Sequence, residues 1–169
     1  MAILLPSWAF FREFTEEQVQ AIFQGFDTGF FYETEVTRMT KGRKHKRIKT
    51  TLEYKPMHAE QLRVMLYLCC YTGCRGQDAC LMRWSHIDLI RNLILYTPRK
   101  TARQTGKTVS LPLHADLRKA LEKAKEWRNT NKVNQDYILP AIAERYQYNP
   151  SGIQKDVMKV IRCATDLET

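Results

Sequence analysis

The stretch Ala59–Thr72 constrains the fold more than any other part of this chain. From Leu62 onward it carries Leu62, Val64, Met65, Leu66, Leu68, Cys69 and Cys70, so a helix with 3.6 residues per turn is left with almost no polar face. Such a helix is stable in water only when other elements surround it, and the remainder of the 169 residues is expected to wrap around it as one domain. The 44% apolar content is enough to build that core, and eight Tyr, seven Phe and three Trp exclude a disordered chain. No run of 18 apolar residues occurs, which excludes a spanning helix. The apolar start Met1–Leu5 lacks the charged leader of a secretory signal. A cytoplasmic protein without membrane contact is expected.

Charge narrows the class of partner. The formal net charge is +9, of which +7 falls within Arg38–Lys49, a dozen residues containing Arg38, Lys41, Arg43, Lys44, Lys46, Arg47 and Lys49 and no acid. A basic excess this concentrated points to local contact with a polyanion, with double-stranded DNA first and an anionic membrane second.

Around the central helix the pattern alternates between helical and extended. Thr15-Glu-Glu-Gln18 has the form of a capping box and opens a short helix bearing Val19, Ile22 and Phe23, which Gly25 is expected to stop. From Phe30 to Tyr54 the sequence reads as β, with the basic centre in the middle, and predicts a long hairpin or a mobile loop over about 36–55. Asp78–Trp84 is a second apolar-periodic segment. Leu93–Tyr96 and Thr108–Leu111 read as the strands of a hairpin with a long polar tip, Pro98–Lys107. Leu113, Leu117, Leu121 and Ala124 mark one face of a helix over about 115–128. Tyr137–Pro140 is a candidate third strand, and Ser151-Gly-Ile-Gln154 a candidate capping box for a last helix. Tyr146 and Tyr148 fall in a stretch that reads as loop.

Several site classes fail on spacing. Cys69, Cys70, Cys74, Cys80 and Cys163 are odd in number and the first four crowd into twelve residues, which suits neither a disulfide framework nor a zinc site, and they are expected to be core thiols. His45, His58, His86 and His114 are scattered without metal or triad spacing. Gly106-Lys-Thr108 ends like a phosphate-binding loop, but Thr101 stands where that loop requires glycine. No metal and no cofactor is expected.

What carries chemistry is Thr72-Gly-Cys-Arg75-Gly-Gln-Asp78. Its glycines place Arg75 at a corner between two helices, where the guanidinium either pairs Asp78 or is aimed outward. Beyond it come Trp84-Ser-His-Ile-Asp88, then Lys100-Thr101 with Gly106-Lys107, then Val109-Ser-Leu-Pro-Leu113. In order and interval, residues 71–121 resemble the catalytic domain of the tyrosine recombinases of the phage-integrase type. That family carries T-G-x-R-x-x-E/D, L-x-W-x-D-I-D, a hairpin with K-T-x-x-x-x-G-K, and a V-x-L/I-P-L strand. By helix order the likeness extends from about Phe14 to the C-terminus.

The resemblance implies an α+β catalytic-domain fold, mainly helical around a small antiparallel sheet. It also implies DNA integration and recombination for a mobile element, by cleavage and rejoining through a 3′-phosphotyrosyl intermediate without metal or nucleotide. A prokaryotic or phage setting and a nucleoid-associated protein follow from it. Carried over by position, Arg75 grips the scissile phosphate and Lys100 donates a proton to the leaving oxygen, with Lys107 as the other candidate and Asp78 supporting the corner. Arg99, Arg103 and Lys107 then join the seven cations of Arg38–Lys49 as DNA contacts.

The departures matter as much. The family's His-x-x-Arg, its further His or Trp and its nucleophilic Tyr have no counterpart in these residues, and the amino-terminal core-binding domain is expected to be absent too. The expectation is therefore a partial catalytic domain over 1–169, incomplete at the C-terminus and inactive alone, that retains DNA binding. A non-catalytic DNA-binding or regulatory module on the same fold is the alternative, and a type IB topoisomerase the weaker enzymatic rival. With its usual cover missing, the stripe Ile153, Val157, Val160 and Ile161 is expected to lie bare and drive self-association.

Overall fold

The computed structural model describes residues 14–39 and 45–165. Lys41, Arg43 and Lys44 of the basic run lie outside the described residues. The helix α1 (Glu16–Thr28) opens on the expected capping box: the Thr15 hydroxyl accepts the Gln18 N–H at 3.3 Å, and the Gln18 side chain accepts the Thr15 N–H at 3.0 Å. Gly25 does not stop this helix. A Cβ there would meet the Phe30 ring at 2.3 Å, so glycine marks where Phe30 presses against α1, and the helix runs on to Gly29 at φ +96°.

Two ten-residue strands, β1 (Phe30–Met39) and β2 (His45–Tyr54), pair antiparallel from Phe30↔Tyr54 to Met39↔His45. The basic segment is therefore a hairpin over its described length. Its lower end is fixed to the body of the protein, because Phe30 is buried in the core and packs edge-on against Phe26 at 5.0 Å.

The helix α2 (Ala59–Thr72) occupies the centre, with Leu62, Met65, Leu66, Leu68 and Cys69 wholly buried. It packs against α1, the short α3 (Gly76–Cys80), α5 (Ala115–Thr130) and α6 (Pro140–Tyr148). Cys69, Cys74 and Cys80 are buried free thiols, while Cys70 and Cys163 are half-buried. Between α3 and α5 lies a three-stranded antiparallel sheet of β3 (Ile87–Asp88), β4 (Leu93–Tyr96) and β5 (Val109–Pro112), in the order β3-β4-β5. The fold is the expected mainly helical α+β arrangement with small antiparallel sheets.

Three local expectations give way to tertiary context. The second apolar segment is helical over Gly76–Cys80 rather than Asp78–Trp84, and Trp84–His86 forms a single tight turn. Tyr137–Pro140 adds no strand beyond an isolated Arg83↔Tyr137 bridge, since Ile138 and Leu139 plug the core and Pro140 begins α6. Tyr146 and Tyr148 accordingly sit on a helix, not in a loop.

The last helix, α7 (Pro150–Thr165), is capped by Asn149, whose side-chain oxygen accepts the Gly152 N–H at 3.0 Å, so Ser151 is not its cap. Ile153, Val157, Val160 and Ile161 are each at most 2% exposed, beneath α1, α6 and β1. The stripe is covered, which removes the premise for self-association.

Where α6, α7 and the hairpin meet, charge is buried. The Arg145 guanidinium donates to Asp156 at 2.5 Å, the Tyr54 hydroxyl donates to the other oxygen of that carboxylate at 2.6 Å, and the Arg145 and Asp156 side chains are only 10% and 16% exposed. The Lys159 ammonium lies 4.4 and 4.5 Å from the ring centres of Tyr32 and Tyr54. Replacing Asp156 with Ala strands the Arg145 charge, and the expected cost is about 3–5 kcal/mol by urea denaturation. A loss under about 1 kcal/mol would mean that water already screens the pair.

Candidate nucleic-acid interface

The corner after α2 is built by hydrogen bonds that explain its sequence. The Thr72 hydroxyl donates to the Leu68 carbonyl at 2.7 Å and accepts the Cys74 N–H at 3.2 Å. Gly73 takes φ +63°, a left-handed conformation that glycine adopts without strain, and its N–H donates to the Cys69 carbonyl at 3.0 Å. The chain then turns sharply into Arg75, which is extended at φ −68°, ψ 150° and caps α3 with its carbonyl. The residue is exposed.

Asp78 does not pair with Arg75. It is 6% exposed, and its Oδ1 accepts the backbone N–H of Arg99 at 3.0 Å. A carboxylate this far from water needs such a donor, and the donor comes from the start of the β4–β5 connection. The Arg75 corner and the Lys100 turn are thereby joined through one part-buried bond to a buried carboxylate. Among the described residues, neither Arg75 nor Lys100 forms an ion pair.

The connection, expected as a long polar tip over Pro98–Lys107, is locally helical. Arg99–Ala102 winds into a single helical turn, α4, with the Pro98 carbonyl accepting the N–H groups of Thr101 at 3.1 Å and Ala102 at 2.9 Å. Gly106 reverses the chain at φ +59°, and the Thr97 and Thr108 hydroxyls meet at 3.2 Å where the strands close. Arg99, Lys100, Arg103 and Lys107 are all exposed on this turn and the segment after it.

Two aromatic residues line the underside: Tyr96, which the sequence placed at the end of a strand, and Tyr146, which it placed in a loop. Tyr96, 7% exposed at the end of β4, has its hydroxyl pushed up to about 12 by burial and then by Cys74 and Asp78, against the pull of Arg75. Tyr146, on α6, is raised by burial first, and Cys80, Asp78 and Arg99 also act on it. Strand alternation on β4 was the available signal for Tyr96, since it shares the buried face with Ile94. Tyr146 had none, because its helix was not read.

The second cluster of cations stands on the β1–β2 hairpin, with exposed Arg38 on β1 and exposed Arg47 and Lys49 on β2. Arg47 lies 3.9 Å from Glu35, and Lys49 is the register partner of the same acid. Lys46 pairs with Arg38 in register. No group of three or more His, Cys, Asp or Glu among the described residues is arranged to hold a metal ion. A cleft of about 850 Å³ between α1, α2 and α5, lined by Phe23, Tyr67, Tyr71 and Trp127, contains none of the predicted site residues. Exposed cations on an open surface suit an extended phosphate polymer rather than an enclosed small ligand.

Residues 38–168 match the profile of the phage integrase family. The chain belongs to the phage integrase family. The match covers the corner, the Lys100 turn and every helix from α2 onward, while α1 and most of β1 lie before it. No curated protein and no solved structure matches the chain. Within this phage integrase domain, no helix among the described residues is long and apolar enough to cross a membrane.

Two outcomes follow. Asp78→Ala removes the acceptor of the part-buried Asp78–Arg99 bond, so stability should fall by about 0.5–1.5 kcal/mol in urea, and equal stability would remove Asp78 as the tie. The hydroxyls of Tyr71 and Tyr96, both pushed up to about 12, ionise in the folded chain well above the ordinary value near 10. Between those values the folded state holds more protons than the unfolded state, so stability should decline as pH rises above about 10. Phenolate absorbance at pH 10.5 should be lower in the folded than in the unfolded chain, and coincident titrations would contradict the shifts.

Proposed function

We propose that this phage integrase domain binds duplex DNA and presents Arg75 and Lys100 together to one backbone phosphate. The observation that carries the reading is the Asp78–Arg99 hydrogen bond, which ties the arginine corner to the lysine turn. At a phosphodiester under attack, negative charge grows on the non-bridging oxygens. The planar, permanently charged fork of Arg75 suits two of them at once. An ammonium beside the departing 5′-oxygen, supplied by Lys100, donates the proton that the alkoxide needs. Lys107 is the second candidate for that role, from the other end of the same connection.

Arg99, Arg103 and Lys107 hold flanking phosphates in this reading. The +7 segment that carries Arg38, Lys41, Arg43, Lys44, Lys46, Arg47 and Lys49 extends the positive field along the duplex, with Arg47 and Lys49 partly offset by Glu35. Cleavage and rejoining through a phosphotyrosine, in the service of a mobile element, belongs to the complete recombinase. The residues of this chain supply charge stabilisation and a proton donor, and none of its eight tyrosines occupies the nucleophile's place in the motif order. Electrostatic stabilisation without an attacking oxygen does not break the strand.

The test is the salt dependence of binding to a fluorescent duplex. Arg75→Ala and Lys100→Ala should each flatten the slope of log K against log salt by roughly 0.9, and the double variant by about twice that. Slopes equal to that of the unaltered chain would show that neither side chain touches a phosphate.

A further inference from the structure

Cross-strand register sorts the β1–β2 ribbon into two chemically different faces. Phe30 pairs with Tyr54 and each later pair follows in step, so even-numbered residues of both strands share one face and odd-numbered residues the other. All three acids of the two strands, Glu33, Glu35 and Glu53, are odd-numbered. There they offset the cations, with Arg47 at 3.9 Å from Glu35 and Lys55 at 3.3 Å from Glu53.

The even-numbered face has no acid. Its base is clamped by the Tyr54–Asp156 hydrogen bond and by Lys159 over Tyr32 and Tyr54. Beyond the clamp, Thr34 faces across to Thr50 and Val36 to Ile48, and Arg38 stands exposed near the described end of the strand. Ile48 is 37% exposed, and neither it nor Val36 packs against the core. Two apolar side chains and two hydroxyls, bordered by a cation with no acid to neutralise it, form a surface that has no role inside this fold.

We propose that the even-numbered face of the ribbon lies in the major groove of duplex DNA. Arg38 then meets a backbone phosphate while Thr34, Val36, Ile48 and Thr50 meet base edges. The inference rests on the DNA-binding reading above and goes beyond phosphate contact to a source of sequence preference. Dimensions favour this groove: paired strands lie about 4.8 Å apart, and with side chains they fill a groove about 12 Å wide but not the minor groove, at about 6 Å. Chemistry favours it too, because threonine hydroxyls pair with base edges and aliphatic side chains with the thymine methyl, which projects only into the major groove. Charge selects DNA over an apolar protein surface, since the segment Arg38–Lys49 carries +7.

The experiment uses the full chain and two 30-base-pair duplexes of one mixed sequence, the second with every thymine replaced by uracil to remove the methyl groups. The unaltered chain should bind the thymine duplex about fivefold more tightly, and a Val36→Ala, Ile48→Ala variant should bind both alike. Arg38→Ala should flatten the salt slope by about 0.9, whereas Arg47→Ala should change it by less than a third of that.

Equal binding of the two duplexes by the unaltered chain would overturn the groove assignment, and that comparison needs no variant to fold. A larger effect of Arg47→Ala than of Arg38→Ala would overturn the choice of face. Unchanged DNA binding by Arg38→Ala, with loss of binding to an acidic protein partner, would assign the face to protein instead and overturn the proposal. Failure of the unaltered chain to bind either duplex would defeat the DNA-binding reading itself.

Discussion

A carboxylate held 6% exposed against the domain interior must find a hydrogen-bond donor, and at Asp78 that donor is the backbone N–H of Arg99. Most of the candidate site follows from this requirement. Asp78 sits one turn after Arg75, on a helix whose direction is set by the Thr72–Gly73 corner, and Arg99 directly precedes Lys100. Satisfying one buried carboxylate therefore ties together the Arg75 corner and the Lys100 turn, whose two cations stand 25 positions apart in the chain. A charged partner would have done the same work for Asp78 while neutralising it. A backbone donor leaves both Arg75 and Lys100 exposed and without an ion-pair partner among the described residues.

The same principle acts at the other end of the molecule with charges of both signs. Asp156 takes one donor from Arg145 and one from Tyr54, so α6, α7 and the base of the hairpin meet at one carboxylate. Gly152 belongs to this junction, since a Cβ there would meet the Asn149 side chain at 2.6 Å and the Arg145 guanidinium at 3.0 Å. The hairpin is thus held at its base, and the basic residues along it are presented from a fixed root. Neighbouring residues of α6 serve both ends: Arg145 reaches the hairpin junction, and Tyr146 shares the surroundings of Asp78 and Arg99.

How much of this could be read from the chain depended on whether the cause was local. The capping box at Thr15 and Gln18, the buried α2 and the paired strands around Lys100 are set by residues within a turn or a register step, and all were legible. So were the Arg75 corner and the family likeness, because order and spacing carry them. The start of α6 was not. Its first free N–H groups, at Ala141 and Ile142, are capped by the Gln61 side chain at 2.9 and 3.3 Å, from a residue 80 positions away on α2. The β-rich Tyr137–Pro140 pattern consequently read as a strand, although Ile138 and Leu139 fill the core and Pro140 begins a helix. The cover over Ile153 and Val157 was equally hidden, because α1 and β1 lie more than a hundred residues earlier in the chain.

The account stands on Arg75 and Lys100 acting as one phosphate-binding unit. The most direct measurement is an NMR titration of the labelled chain with a short duplex, following the Arg75 side-chain Nε–H and the Lys100 side-chain resonances. Both sets should move along one binding curve, with a single Kd, and the Arg99 amide should stay protected from solvent exchange throughout. Movement of one side chain without the other, or separate curves for the two, would contradict the account.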